Sequence, residues 1–212
     1  MKIGLVIPTR GDRPQFLRYA YYQIDKQILK PDEIILVNDK PITTEKDITW
    51  RYRIGCKRAL DKGCDVILWW EDDDWYHPNY INWMVNSWVE NNKPSIFGIN
   101  ETYYYHIKIN KYIHMKHNGR ASAFCTLVTR DILDFKWPDD KYPFTDLKIW
   151  ASIKGISIPF EDKILAIGIK HGIGMTGGSG HNVNSMKWDK TNARFWFEKH
   201  IDKDSLAFYD SL

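Results

Sequence analysis

The chain has 212 residues, 43% of them hydrophobic, and a formal net charge of +3. That length suits one domain with a sizeable core, and the composition excludes a disordered chain. The charge is too weak to argue for nucleic acid by itself; it suits an anionic ligand such as a nucleotide diphosphate without demanding one.

The first half alternates strand-like and helix-like segments. Lys2 to Ile7 reads as a buried strand ending in Pro8-Thr9-Arg10-Gly11-Asp12. Pro14 suits the first position of a helix reaching about Ile28, because its fixed φ and missing N–H cost nothing there. Glu33 to Val37 is a second strand, ending in Asn38-Asp39. Tyr52 to Leu60 reads as a helix with Gly63 just past its end. Val66 to Trp70 is a third strand, followed directly by Glu71-Asp72-Asp73-Asp74. From about Pro78 a helix places Ile81, Met84, Val85 and Trp88 on one face. In the second half, strands are expected at Ser95–Asn100, Tyr103–Ile109, Lys111–Met115 and Ser122–Thr129. A helix follows over Phe144–Lys154, with Leu147, Trp150 and Ala151 on one face. Further strands are expected at Ile156–Pro159 and Lys163–Ile169, then a Gly-rich loop at Gly172–Gly180 and a helical tail from about Lys190.

Strands alternating with helices imply a largely parallel sheet covered on both faces, and such sheets bind ligands beyond the carboxyl ends of their strands. The clusters Thr9-Arg10, Asn38-Asp39 and Glu71 to Asp74 each follow a strand, so all three should meet on one rim. Four consecutive acids repel one another, and a hard divalent cation such as Mn²⁺ or Mg²⁺ removes that penalty. The alternative is a solvated acidic turn. Trp69-Trp70 before the acids and Trp75-Tyr76 after them argue against it by bracketing them in apolar bulk. The ten Trp and twelve Tyr otherwise suit either an aromatic core or a carbohydrate-stacking site.

The strand ending in Pro8-Thr9-Arg10, the run Ile34-Ile35-Leu36-Val37-Asn38-Asp39 and the motif Glu71-Asp72-Asp73-Asp74-Trp75-Tyr76-His77-Pro78 together resemble family 2 glycosyltransferases. The likeness spans about residues 2–171, and the family's DXD-type motif commonly reads D-x-D-D-W-x-x-P, with Glu71 here in place of the first Asp. It implies a GT-A type, Rossmann-like nucleotide-sugar-binding α/β fold with a mixed, mostly parallel central sheet flanked by helices. One domain would span residues 1–212, its donor half ending near 100 and its acceptor half carrying the Gly-rich loop. The implied activity is a metal-dependent, inverting, hexosyltransferase-like transfer from a nucleoside diphosphate sugar, UDP-sugars favoured, to an acceptor hydroxyl.

The resemblance also implies roles. Pro8, Thr9 and Arg10 lie beside the nucleotide, Asp39 faces the nucleobase, and Asp72 and Asp73 sit at the donor. Asp73 and Asp74 bind the metal, and a late His, best matched by His171, completes its shell. Lys57-Arg58 stand where cations touch the diphosphate, so Arg58 is a donor-binding candidate; an exposed basic helix face is the other reading. Phe144-Thr145-Asp146-Leu147 partly matches a Glu-Asp-x-x-Leu motif whose second acid, here Asp146, is the general base. Asp146 also reads as an acid favoured by a helix N-terminus, and the base is the preferred reading.

Gly172, Gly174 and Gly177 spell G-x-G-x-x-G, but too little chain follows for a dinucleotide-binding βαβ unit. Gly177-Gly178-Ser179-Gly180 reads as a mobile lid over the donor phosphates or as a plain surface loop. Three cysteines without a CxxC exclude a disulfide framework and suit a reducing, cytoplasmic compartment. No apolar run reaches the roughly 18 residues of a transmembrane segment. The acceptor (glycan, lipid-linked sugar, protein or modified nucleobase) is not legible. Two rivals remain, a sugar-nucleotide-forming nucleotidyltransferase and a non-catalytic nucleotide- or carbohydrate-binding module. The first would carry its Gly-rich signature after the first strand, where Pro8-Thr9-Arg10-Gly11-Asp12 stands instead.

Overall fold

The computed structural model describes residues 1–39, 46–160, 163–172, 189 and 191–212. Its first strand, β1 (Ile3–Pro8), is buried along its whole length, as an apolar run without alternation requires. β1 lies between β2 (Glu33–Val37) and β3 (Val66–Trp69), parallel to both. These strands begin a six-stranded sheet that continues through β8 (Thr126–Thr129), β5 (Ile96–Ile99) and β9 (Ile156–Ile158). Within it, β8 runs antiparallel to β3 and β5, whereas β5 and β9 are parallel.

The helices α1 (Pro14–Asp25), α2 (Ile48–Asp61) and α3 (Tyr80–Glu90) cover this sheet. α2 approaches it closely through Gly55, where a Cβ would fall 2.4 Å from a Val6 methyl. The expected stripe on α3 holds, with Ile81, Met84, Val85 and Trp88 all buried.

A second sheet was not foreseen. It joins β4 (Trp75–Tyr76), β10 (Ala166–Lys170), β6 (Glu101–His106) and β7 (Lys111–Lys116) in that order. Two short helices, α5 (Ala193–His200) and α6 (Lys203–Asp210), replace the single helical tail expected. The break falls at Ile201-Asp202, because the Asp202 side chain caps the second helix by accepting from Ser205 N at 3.0 Å. A separate apolar cluster binds these helices to the second sheet, with Tyr105 stacked on Phe197 at 3.8 Å.

Several boundaries differ from expectation. α1 stops at Asp25, and Ile28 is exposed. α2 begins at Ile48 rather than Tyr52. The segment expected as a strand over Ser122–Thr129 opens with a 3-10 turn at Ala123–Cys125, closed by Cys125 N donating to Ser122 O at 3.0 Å. The helix expected over Phe144–Lys154 shortens to α4 (Thr145–Ser152). Its inward face is Thr145, Ile149 and Trp150; Leu147 and Ala151 face outward, so the face read from the sequence is corrected. Three Trp beside the acids, Trp69, Trp70 and Trp75, are fully buried, with Trp69 stacked on Tyr52 and Trp70 on Tyr76. These aromatics are core.

Candidate active site

The carboxyl ends of β1 and β3 open on a cavity of about 210 Å³. Pro8, Arg10, Glu71, Asp72 and Asp73 form one wall; Tyr104, Ser122, Phe124 and Asp146 stand among the other lining residues. Thr9 sits behind the first wall, its buried hydroxyl donating to Asp72 Oδ2 at 2.6 Å. The rim inferred from the strand ends is therefore real for β1 and β3.

Asp72, Asp73 and Asp74 are buried and Glu71 is half-buried. One carboxylate oxygen each from Glu71, Asp73 and Asp74 fall within 4.8 Å of one another. Asp74 Oδ1 accepts from Ile169 N at 2.7 Å, while its buried Oδ2 has no partner among the described residues. Tyr52 donates to Glu71 Oε1 at 3.0 Å, and His171, fully buried, places Nε2 2.9 Å from Asp73 Oδ2.

Crowding shows in the acidities. Burial and the nearby Asp73 push the Glu71 carboxyl up to about 7 and that of Asp72 to about 6. Burial, Glu71 and Asp73 push Asp74 well above the usual carboxylate range. Asp73 goes the other way: burial would raise it, but Arg13 and His171 outweigh burial and hold it far below. Glu71, Asp73 and Asp74 thus form a hard oxygen set with excess negative charge and one orphaned buried oxygen. Those are the properties that suit a small divalent cation.

Two cations at this cluster escaped the sequence reading. Arg13 donates from Nη1 to Asp73 Oδ2 at 2.6 Å and from Nη2 to Asp72 Oδ1 at 2.8 Å. Lys170, at the end of β10, is buried on the cavity wall and lies over the Tyr104 ring at 4.9 Å. Lys170 and His171 directly follow the strand expected over Lys163–Ile169. Nothing local marks Arg13 except its place just before a helix-starting proline.

Asp146, the second residue of α4, lines the cavity and takes a bond from Arg120 Nη1 at 3.2 Å. Burial raises its carboxyl above the ordinary value, and Arg120 partly opposes that rise. Ser122 Oγ lies 3.0 Å from both the Tyr104 hydroxyl and His117 Nε2, and Thr102 Oγ1 is 2.9 Å from that nitrogen. Burial pushes His117 down to about 4, so this buried chain is neutral. The pairing of His117 with Thr102 depends on how β6 meets β7, which no local pattern records.

Asp39 and Arg58 are brought together, but with each other: Arg58 donates to Asp39 Oδ1 at 2.9 Å and Oδ2 at 2.6 Å. Both are partly exposed and neither belongs to the cavity lining. Arg51 is the cation that ties the rim together, donating to Thr9 O at 2.5 Å, Val37 O at 2.8 Å and Asp47 Oδ2 at 2.7 Å. The expected lid, Gly177–Gly180, lies outside the described residues; of the Gly-rich loop Gly172 alone is described, with φ +75°. No described helix is long and apolar enough to cross a membrane.

No family model matches the chain, and no curated protein matches it. Among solved structures, A197 from STIV aligns with a TM-score of 0.50 at 14% identity, over 75% of this chain and 82% of its own. Residues 1–349 of S. aureus TarS in complex with UDP align at 0.52 and 14% identity, over 80% of this chain and 60% of that one. The corresponding complex with UDP-GlcNAc gives the same score and identity, covering 59% of its chain. This chain spans only 37% of the longer TarS structure. The mixed, mostly parallel sheet, its flanking helices and these alignments give the chain the GT-A type fold of glycosyltransferases.

Proposed function

We propose that this protein is a glycosyltransferase that moves a sugar from a nucleoside diphosphate sugar, a UDP-sugar by preference, to an acceptor hydroxyl. The observation that carries this reading is the Glu71–Asp73–Asp74 oxygen set with its orphaned, buried Asp74 Oδ2, joined to a cavity that also holds Asp146. The fold shared with a protein solved with UDP and UDP-GlcNAc supports the choice of donor.

Glu71, Asp73 and Asp74 would hold Mn²⁺ or Mg²⁺, with His171 beside Asp73. A bound cation would act as a Lewis acid that neutralises the departing diphosphate. Pro8, Arg10 and Asp72 line the donor side, and Thr9 fixes the Asp72 carboxylate from behind. Asp146 takes the proton of the acceptor hydroxyl as that oxygen attacks the anomeric carbon, and the diphosphate leaves with the bonding pair. With Asp146 as the base and no described residue assigned as a nucleophile, the transfer is a single displacement that inverts the anomeric centre, as the family resemblance implies.

The test is incubation of the purified protein with UDP-GlcNAc and other nucleotide sugars, with Mn²⁺ or EDTA, measuring donor turnover and UDP affinity. Metal-dependent UDP binding with slow donor hydrolysis supports a transferase. Binding without turnover of any donor points to the non-catalytic module instead.

A further inference from the structure

Arg13 immediately precedes α1, and its guanidinium reaches into the carboxylate cluster. It bonds Asp72 Oδ1 and Asp73 Oδ2 with separate nitrogens, and the latter oxygen also faces His171 Nε2. Asp73 belongs as well to the oxygen set that suits a divalent cation. A guanidinium and a metal ion therefore contend for one carboxylate, and like charges so close repel. Arginine cannot relieve this by losing its proton. The only relief is movement, and the side chain already lies on the cavity wall, its guanidinium 4.9 Å from the Phe16 ring centroid. A planar, five-donor fork that must leave a carboxylate finds its best new partner in phosphate oxygens.

We infer that Arg13 couples metal binding to diphosphate binding, opposing a cation at Asp73 in the free protein and passing to the diphosphate when nucleotide and metal arrive together. The inference rests on the metal–diphosphate reading of the site. It makes the site poor at holding metal alone and better once the diphosphate offers Arg13 another partner. The acidic cluster is then protected from capturing a cation without donor.

The experiment titrates Mn²⁺ into wild type, R13Q and R13K, with and without UDP, reading free Mn²⁺ by electron paramagnetic resonance and folding by thermal melting. R13Q should bind Mn²⁺ alone about tenfold more tightly than wild type, and the gain in Mn²⁺ affinity on adding UDP should shrink about tenfold. R13K, which keeps the charge, should stay within about threefold of wild type for Mn²⁺ alone. If R13Q binds Mn²⁺ alone no better than wild type and keeps the full gain from UDP, Arg13 does not couple the two. If wild type takes up no Mn²⁺ even with UDP, the metal reading itself fails. R13M, a neutral side chain whose thioether suits an aromatic neighbour such as Phe16, replaces R13Q should that variant not fold.

Discussion

Replacing Asp146 by Asn removes the proposed base while disturbing little else. The carboxylate sits on α4, a helix anchored through Thr145, Ile149 and Trp150, and its side chain is 18% exposed beside Arg120. Asn keeps an oxygen for Arg120 and loses only the charge. The ion pair is partly exposed, so the change in stability should stay within about 1 kcal/mol. Burial raises the Asp146 carboxyl, so its contribution to stability is greatest below the ordinary carboxylate value and is lost as pH rises through the raised one. D146N, uncharged at every pH, escapes that loss, which further limits the damage. Turnover is another matter: a general base contributes about 10²–10⁴-fold, or roughly 3–5 kcal/mol of barrier. The assay measures melting temperature, UDP affinity with Mn²⁺ and transfer rate in parallel; kcat should fall by that factor with the first two nearly unchanged. A companion variant, R120Q, removes the cation that favours the ionised carboxylate, so the acidic limb of kcat/KM should move to higher pH. Transfer by D146N within about threefold of wild type would refute the assignment. Neighbouring acids would not rescue it: Asp140 is held by Arg53 at 2.9 Å, and neither it nor Asp139 lines the cavity.

Three other substitutions test the rest of the site. D74N keeps an oxygen for Ile169 N and removes a carboxyl whose ionisation burial, Glu71 and Asp73 oppose, so the metal-free protein should melt no lower than wild type. Its UDP affinity, by calorimetry, should no longer depend on Mn²⁺. R51M strands the buried Asp47 and the rim carbonyls of Thr9 and Val37, and urea unfolding should register a loss of about 3–5 kcal/mol; a loss below about 1 kcal/mol would show that Arg51 does not hold the rim. D39A breaks only an exposed pair with Arg58 and should cost less than about 1 kcal/mol. If Asp39 reads the nucleobase, D39A weakens UDP binding and relaxes base preference; unchanged affinity and preference would remove it from the site.

The sequence by itself determined the strands of the first half and the carboxylates that follow β3. A fully buried parallel strand writes itself as an apolar run, and the strand-end rule then carries polar residues to one edge. A partial match to a motif also singled out Asp146, which the fold brings to the cavity wall. Tertiary structure decided what those acids touch. Arg13 and Asp73 are 60 positions apart and Asp73 and His171 are 98 apart, so no local period could pair them. Asp39 and Arg58, read separately as ligands of base and diphosphate, pair with each other in the folded chain, since α2 lays one beside the other. The inward face of α4 escaped the pattern because eight residues give only about two turns of evidence, and Trp150, packed against Gly98 of β5 and Thr126 of β8, turns Ile149 inward with it and leaves Leu147 and Ala151 outside. Helical and strand periods are local properties of a chain; the partner of a charge is set by which distant elements the core brings into contact, and only the folded chain contains that information.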